Sequence, residues 1–272
     1  MPDGTRLAVL GSPIGHSRSP QLHRAAYGVL GLDWDYDRVE VDDAGLEGFL
    51  DGLGAEWRGL SLTMPLKRRV AELVPEVDEV ARRTGQGNTI LLDRGRAVKA
   101  FNTDVHGVTA AFGEAGVTSA TRATVLGGGA TAESAVRALE GLGAEVTVAV
   151  RDVAKVIASG TFASARVVAL GADADAALAE SDVAVSTIPP RADFPVSLLR
   201  LRAAQTLLDV AYAPWPTPLA AAWTEAGGTV VHGLEMLVHQ AVHQIRIFVA
   251  GDPSTPLPDE DAVIRAMRAA VE

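Results

Sequence analysis

Four short polar stretches carry most of the side chains here that suit chemistry on a small polar molecule. They are GSPIGHSRSP over Gly11–Pro20, SLTMPLK over Ser61–Lys67, GQGNT over Gly85–Thr89 and FNTDVHG over Phe101–Gly107. Together they offer hydroxyls, an amide, a carboxylate and an ammonium, a set that fits a small polyhydroxylated acid better than an apolar ligand. Three of them directly follow β-like runs, where α/β sheets present ligands, and the Gly85 stretch leads into one. A fifth stretch, Leu126-Gly127-Gly128-Gly129-Ala130-Thr131-Ala132, follows an apolar run and opens a helix-like segment. Gly127, Gly129 and Ala132 satisfy the G-x-G-x-x-G/A form of a dinucleotide-binding turn, and the strand-turn-helix context is the one that motif requires. The first glycine allows the tight turn, the second lets backbone approach a pyrophosphate, and the small third residue lets helix and strand pack closely.

About twenty residues on, Val150-Arg151-Asp152 ends the next β-like run, where the adenine ribose is expected. Arg151 there offers positive charge to a 2′-phosphate, with Lys155 as a second, mobile charge, so the pattern points to NADP. Asp152 works against this by repelling phosphate or pairing with Arg151, and an ordinary solvated Arg151–Asp152 pair is the alternative.

The elements that must position these residues follow an α/β rhythm. In the first hundred residues, β-like runs at 6–10, 34–41 and 59–62 alternate with helical patterns at 20–30 and 46–53. Ser19-Pro20 reads as a helix opening with Ser19 as cap, and Leu22, Ala25, Ala26, Val29 and Leu30 as its apolar face. Asp93-Arg94-Gly95 separates two runs, 89–92 and 97–100, as a hairpin turn. From 104 the pattern becomes helix, strand, glycine turn, then repeated β-α-β units with strands at 123–126, 145–150, 166–170, 183–187 and 206–210, which means a parallel sheet covered on both faces. The expected fold is α/β: a substrate-binding domain over 1–103 and 237–272, a Rossmann-like dinucleotide-binding domain over 104–236, and a cleft between them. The closing helices, 234–249 and 259–271, are expected to return to the first domain.

The composition narrows the function classes. The 272 residues include no cysteine, which excludes disulfides and thiolate metal sites, and the histidines show no metal-ligand spacing, so no metal is expected. With 24 basic against 34 acidic residues the net charge is −10, which argues against a nucleic-acid partner. Neither a leader-like start nor a run of roughly 18 apolar residues is present, so a cytoplasmic protein without membrane partners, monomeric or homodimeric, is expected.

Taken in order, the four polar stretches, together with DVAYAPWPTPL over Asp209–Leu219 and GLEMLVHQA over Gly233–Ala241, resemble the shikimate dehydrogenase family essentially end to end. The resemblance implies reversible NADPH-dependent reduction of 3-dehydroshikimate to shikimate, a step of chorismate and aromatic amino-acid biosynthesis. It implies that Ser17, Ser19 and Tyr212 bind the substrate carboxylate, that Thr63, Asn88, Asp104 and Gln240 contact ring oxygens, and that Lys67 and Asp104 flank the reacting carbonyl as the catalytic pair. Gly127, Gly128, Gly129, Ala130, Thr131, Ala132, Arg151, Lys155, Thr187 and Gly233 are assigned to the cofactor. Taken singly, Lys67 fits a solvated helix-start charge, Asp104 a helix cap and Tyr212 a packing residue; the ordered set is what points to chemistry. Two departures stand out: Ser61 where the family commonly has Asn, and Val150-Arg151-Asp152 where it commonly has Asn-Arg-Thr or Asn-Arg-Ser. The alternatives are a quinate or aminoshikimate dehydrogenase, and a non-catalytic shikimate-binding regulator on the same scaffold.

Overall fold

The computed structural model describes residues 4–190, 201 and 204–271. The chain divides into two compact units, one made of residues 1–103 and 237–272, the other of 104–236.

The first unit is built on a mixed sheet. Its elements are β1 (Thr5–Gly11), α1 (Ser19–Leu30), β2 (Trp34–Glu40), α2 (Leu46–Asp51), β3 (Trp57–Leu62), α3 (Lys67–Leu73), β4 (Glu76–Val77), α4 (Glu79–Thr84), β5 (Thr89–Asp93) and β6 (Arg96–Phe101). The strand order is β2-β1-β3-β5-β6-β4, with β5 antiparallel to both neighbours and the other pairings parallel. Arg94 and Gly95, at φ 49° and 77°, make the two-residue hairpin turn between β5 and β6, whose positive φ matches the twist of the strands. Leu10, Leu60, Leu62, Leu66, Val70, Ile90 and Ala100 form one core of this unit.

Two readings of α1 are corrected. Ser19 does not cap the helix: Arg18 holds the cap position without a side-chain cap bond, and Ser19 is the first helical residue. Ser19 N–H instead donates to Ser17 Oγ at 3.3 Å. The buried stripe is Leu22, His23, Ala26 and Tyr27, while Val29 is exposed, because the two rings pack against the aromatic side chains of β2.

The second unit comprises α5 (Asp104–Glu114), β7 (Arg122–Leu126), α6 (Ala130–Gly141), β8 (Glu145–Val150), α7 (Val153–Ser159), β9 (Arg166–Ala169), α8 (Ala172–Glu180), β10 (Val183–Ser186), β11 (Thr206–Asp209), α9 (Pro218–Glu225) and β12 (Thr229–His232). All six strands are parallel in the order β12-β11-β10-β7-β8-β9. Counted from β7, this is the 3-2-1-4-5-6 order of a doubly wound sheet, with the switch point between β7 and β10. Val125 packs with Phe112, Ala132, Leu139 and Val148 on one face, and its neighbour Leu126 with Ala149, Leu178, Leu207 and Trp223 on the other. Burial on both faces is why these strands read as continuous apolar runs. Helix α10 (Gly233–Ala250) then leads back into the first unit, which α11 (Glu260–Ala269) completes by packing on α1. Among the described residues no helix is long and apolar enough to cross a membrane.

Candidate functional site

In the first unit the polar stretches gather at strand ends. The loop after β1 carries Ser17 and leads to Ser19 at the start of α1, with Ser17 Oγ donating to Ser19 Oγ at 3.3 Å. Arg38 on β2 fixes this loop: its Nε donates to the Ser17 carbonyl at 2.8 Å, and its Nη2 reaches Gln21 Oε1 at 3.1 Å. Thr63 follows β3, its N–H bound to Leu10 O at 2.9 Å, and its carbonyl accepts from Leu66 N–H at 2.9 Å, which turns the chain into α3 and places half-buried Lys67 at its start. The Lys67 carbonyl accepts from Gly87 N–H at 2.8 Å, tying α3 to the loop that delivers Asn88.

Asn88 is buried and its orientation is set by its partners. Its Oδ1 accepts from Thr103 N–H at 2.9 Å and from Thr89 Oγ1 at 2.9 Å, so its Nδ2 faces Thr103 Oγ1 at 2.9 Å and Gln240 Oε1 at 3.5 Å. Gln240 projects from α10, with its Nε2 donating to Leu237 O at 2.8 Å. Asn88, Thr103 and Gln240 are thus brought together. Asp104, the next residue after Thr103, opens α5 and is buried.

In the second unit the glycine turn lies at the switch point. Gly127 has φ 110°, and a Cβ there would fall inside contact distance of Thr187 Oγ1, which itself donates to Leu126 O at 2.9 Å. Gly127 and Thr187 are therefore in direct apposition at the ends of β7 and β10. Gly129 caps α6 and has open space in the direction of its missing side chain, with nothing within 4 Å. Ala132 is fully buried against the sheet. A tight glycine against the neighbouring strand, an open one at the helix N-terminus and a buried small residue are the three features a bound pyrophosphate needs, so the turn fits a dinucleotide. Arg151 is exposed at the tip of β8 and forms no ion pair among the described residues. The Arg151–Asp152 pair is not formed: Asp152 caps α7, its Oδ1 accepting from Lys155 N–H at 2.9 Å.

Tyr212 is half-buried in the loop after β11. Sequence reasoning missed how that loop is held. Asp209 is buried and accepts from Ala211 N–H at 3.2 Å and from the Thr217 hydroxyl, while Thr217 Oγ1 caps α9 by accepting from Ala220 N–H at 3.0 Å. Burial pushes the Asp209 carboxyl up from the usual range, and the bonds from Thr217 and Ala211 oppose it. Gly233 starts α10 against the Val210 carbonyl, and Leu234 N–H donates to His232 Nδ1 at 3.0 Å, a cap that needs this nitrogen unprotonated. Burial lowers the His232 pKa accordingly, opposed by Glu235. Also missed were His23, Tyr36 and Gln244, which are buried in the first unit. Gln244 follows Gln240 by one helical turn, a spacing that could have flagged it.

The strand order and the glycine turn define the second unit as a Rossmann-like dinucleotide-binding domain, joined in one chain to an α/β unit whose strand ends carry a set of polar side chains. Residues 9–90 match the family model described as the shikimate dehydrogenase substrate binding domain. The NADP(+) shikimate dehydrogenase of Anaeromyxobacter dehalogenans is 35% identical over 96% of this chain and 95% of its own length, and that of Halobacterium salinarum is 35% identical over 97% of each. Among solved structures, Mycobacterium tuberculosis shikimate dehydrogenase is 41% identical with a TM-score of 0.83 over 97% of this chain and 99% of that one. The Thermus thermophilus enzyme, solved in complex with NADP(H) and shikimate, is 30% identical with a TM-score of 0.84 over 98% and 99%. The chain belongs to the shikimate dehydrogenase family.

Proposed function

We propose that this protein is an NADP-dependent shikimate dehydrogenase, an oxidoreductase that reversibly reduces 3-dehydroshikimate to shikimate in the cytoplasmic pathway to chorismate and the aromatic amino acids. The observation that carries the reading is the end-to-end likeness to an enzyme solved with both NADP(H) and shikimate, on a chain whose own glycine turn and polar set fit those two ligands. Residues 1–103 and 237–272 form the substrate domain and 104–236 the cofactor domain, in a monomer or homodimer.

In this reading Ser17, Ser19 and Tyr212 donate to the substrate carboxylate, which an acidic protein must hold by local hydrogen bonds. Thr63, Asn88, Asp104 and Gln240 bond ring oxygens. Gly127 to Ala132, Thr187 and Gly233 hold the nucleotide, and Arg151 with Lys155 meets its 2′-phosphate. NADPH, when bound, supplies the hydride. Lys67 stabilises the negative charge that develops on the C3 oxygen and provides its proton, and Asp104 orients the reacting group through the neighbouring hydroxyl. Charge appears on that oxygen only as the reaction proceeds, so Lys67 acts mainly on turnover and little on ground-state binding.

The test is oxidation of NADPH and of NADH with 3-dehydroshikimate and with 3-dehydroquinate, run side by side. Turnover of 3-dehydroshikimate with NADPH above the other three combinations is expected. No turnover of 3-dehydroshikimate with either nucleotide would leave a binding protein on this scaffold, and preference for 3-dehydroquinate would make it a quinate dehydrogenase.

A further inference from the structure

Gln244 has none of the roles proposed above, yet every polar group of its side chain is used. It is buried on α10, and its Nε2 donates to the Asn88 carbonyl at 3.2 Å and to Thr89 Oγ1 at 3.0 Å. Its Oε1 lies 2.8 Å from Ser61 Oγ and 3.2 Å from His23 Nε2. A backbone carbonyl can only accept, so the amide nitrogen must face Asn88, and Ser61 and His23 must both donate to the oxygen.

Two consequences run outward from this fixed amide. Ser61 gives its proton to Gln244 and accepts from the Tyr36 phenol at 2.6 Å, so its hydroxyl is engaged on both sides and buried. Thr89, having accepted from Gln244, gives its proton to Asn88 Oδ1 at 2.9 Å. The amide nitrogen of Asn88 is thereby kept on the side of Thr103 and Gln240, where ring oxygens are proposed to be read.

We infer that Gln244 is a positioning residue of the substrate site: it holds Asn88 by backbone and side chain with its N–H groups on the side of Thr103 and Gln240, and it withdraws Ser61 from substrate contact. The inference rests on the reading of Asn88 as a ring-oxygen ligand. It changes the meaning of the departure at position 61. A serine in place of the family's asparagine is not a shorter ring contact but a link inside the unit, and ring recognition on this side falls to Asn88. The titratable neighbours are His23, directly on Gln244 Oε1, and Tyr36 beyond Ser61. In the parent, burial lowers His23 to about 3, against the bond from Gln244, and raises Tyr36 well above its usual range, so both are neutral there.

The experiment uses the full chain with shikimate and NADP. In Gln244→Glu the carboxylate still accepts from Ser61 and His23 but cannot donate to Asn88 or Thr89. The KM for shikimate should rise about tenfold near pH 8, with the KM for NADP within about twofold of the parent. The ratio of variant to parent shikimate KM should shrink as pH falls, because a buried carboxyl takes up its proton at raised pH and regains one donor. Thr89→Val is nearly isosteric and removes the link to the Asn88 side chain together with one acceptor of Gln244, leaving the Gln244 bond to the Asn88 carbonyl in place, with an expected rise of roughly three- to tenfold in the shikimate KM; it decides the matter if Gln244→Glu does not fold. An unmoved shikimate KM in folded Thr89→Val, or equal losses for shikimate and NADP, overturns the inference. A parent that leaves shikimate untouched ends the functional reading and this inference together, whereas an active parent with unmoved variants ends this inference alone.

Discussion

Alanine at Gly127 and alanine at Gly129 should fail for different reasons, and the contrast tests where the glycine turn meets its ligand. Gly127 has φ 110°, a conformation that costs a residue with a side chain about 1–3 kcal/mol. Its new Cβ would also displace the Thr187 hydroxyl from Leu126 O, a 2.9 Å bond whose net contribution is about 1 kcal/mol. The sum, about 2–4 kcal/mol of stability, should lower the Tm by roughly 5–15 °C in a chain of this size. Gly129 is different: at φ −91° and ψ −173° its backbone is ordinary extended chain, and an added Cβ meets no protein atom within 4 Å. Gly129→Ala should therefore melt with the parent, while the methyl group takes the space reserved for the pyrophosphate and weakens NADP binding by at least about tenfold, or about 1.4 kcal/mol. Thermal melts without nucleotide and a titration of NADP by calorimetry separate the two effects. Parent-like NADP affinity in Gly129→Ala would refute the placement of the pyrophosphate, and a parent-like melt for Gly127→Ala would refute the packing argument.

Three further outcomes are expected. Lys67→Ala should lower kcat by about a hundredfold or more while leaving the dissociation constant for shikimate within a few-fold, and near-normal kcat would remove Lys67 from the chemistry. Arg151→Ala should lower kcat/KM with NADP by about tenfold, the low end for a charged hydrogen bond because the side chain is exposed, and leave NAD kinetics unchanged; equal loss with both cofactors would show that Arg151 does not read the 2′-phosphate. Glu260→Gln breaks the fork from Arg246 that joins α10 to the start of α11. Burial pushes the Glu260 carboxyl up, but Arg246 and the Leu257 N–H outweigh it and hold it below the usual range. A depressed folded-state pKa gives stability above the ordinary carboxylate pKa and loses it as pH falls through the folded value. The parent should thus be more stable than the variant by about 1–3 kcal/mol at neutral pH, with the gap closing below about pH 4 in melts across the range.

Much of the second unit was legible because its central strands are buried on both faces. Ala123–Leu126 and Val183–Ser186 cannot be mistaken for half-exposed strands, and the glycine turn between a strand and α6 names its own context. Of the short helices, α2 was legible at 46–53 and three others were not. α3, α4 and α9 are six to eight residues long, too short for a 3.6-residue period to emerge, and they exist by tertiary packing and by caps such as Asp78 on α4 and Thr217 on α9. The face of α1 was misread for another reason. His23 is polar and was passed over, yet it stacks on Tyr36 at 3.9 Å and its nitrogens are matched by Tyr27 and Gln244, so it is buried where Val29 is not. One of its partners, Gln244, lies more than two hundred positions away in sequence, and no local pattern brings that amide to it.

The two departures from the family pattern show the same limit at the site itself. Read from sequence, Asp152 threatens the cofactor by repelling phosphate or neutralising Arg151, and Ser61 stands where the family commonly has Asn. In the structure both side chains are engaged by neighbouring elements. One Asp152 oxygen is taken by the first turn of α7, leaving Arg151 without an ion pair among the described residues, so the cation at the strand tip remains available to a phosphate. Ser61 is drawn into the bonds of Tyr36 and Gln244. In both cases a side chain that looks toward the ligand in a linear motif is claimed by a neighbouring element, a helix N-terminus in one and a helix face in the other. Residue type alone gives the hydrogen-bonding capacity of a position, and only the surrounding partners show how much of that capacity is left for substrate. By the same measure Asn88, whose amide nitrogen is shared with Thr103 and Gln240, should read the ring only as one member of that hydrogen-bonded set.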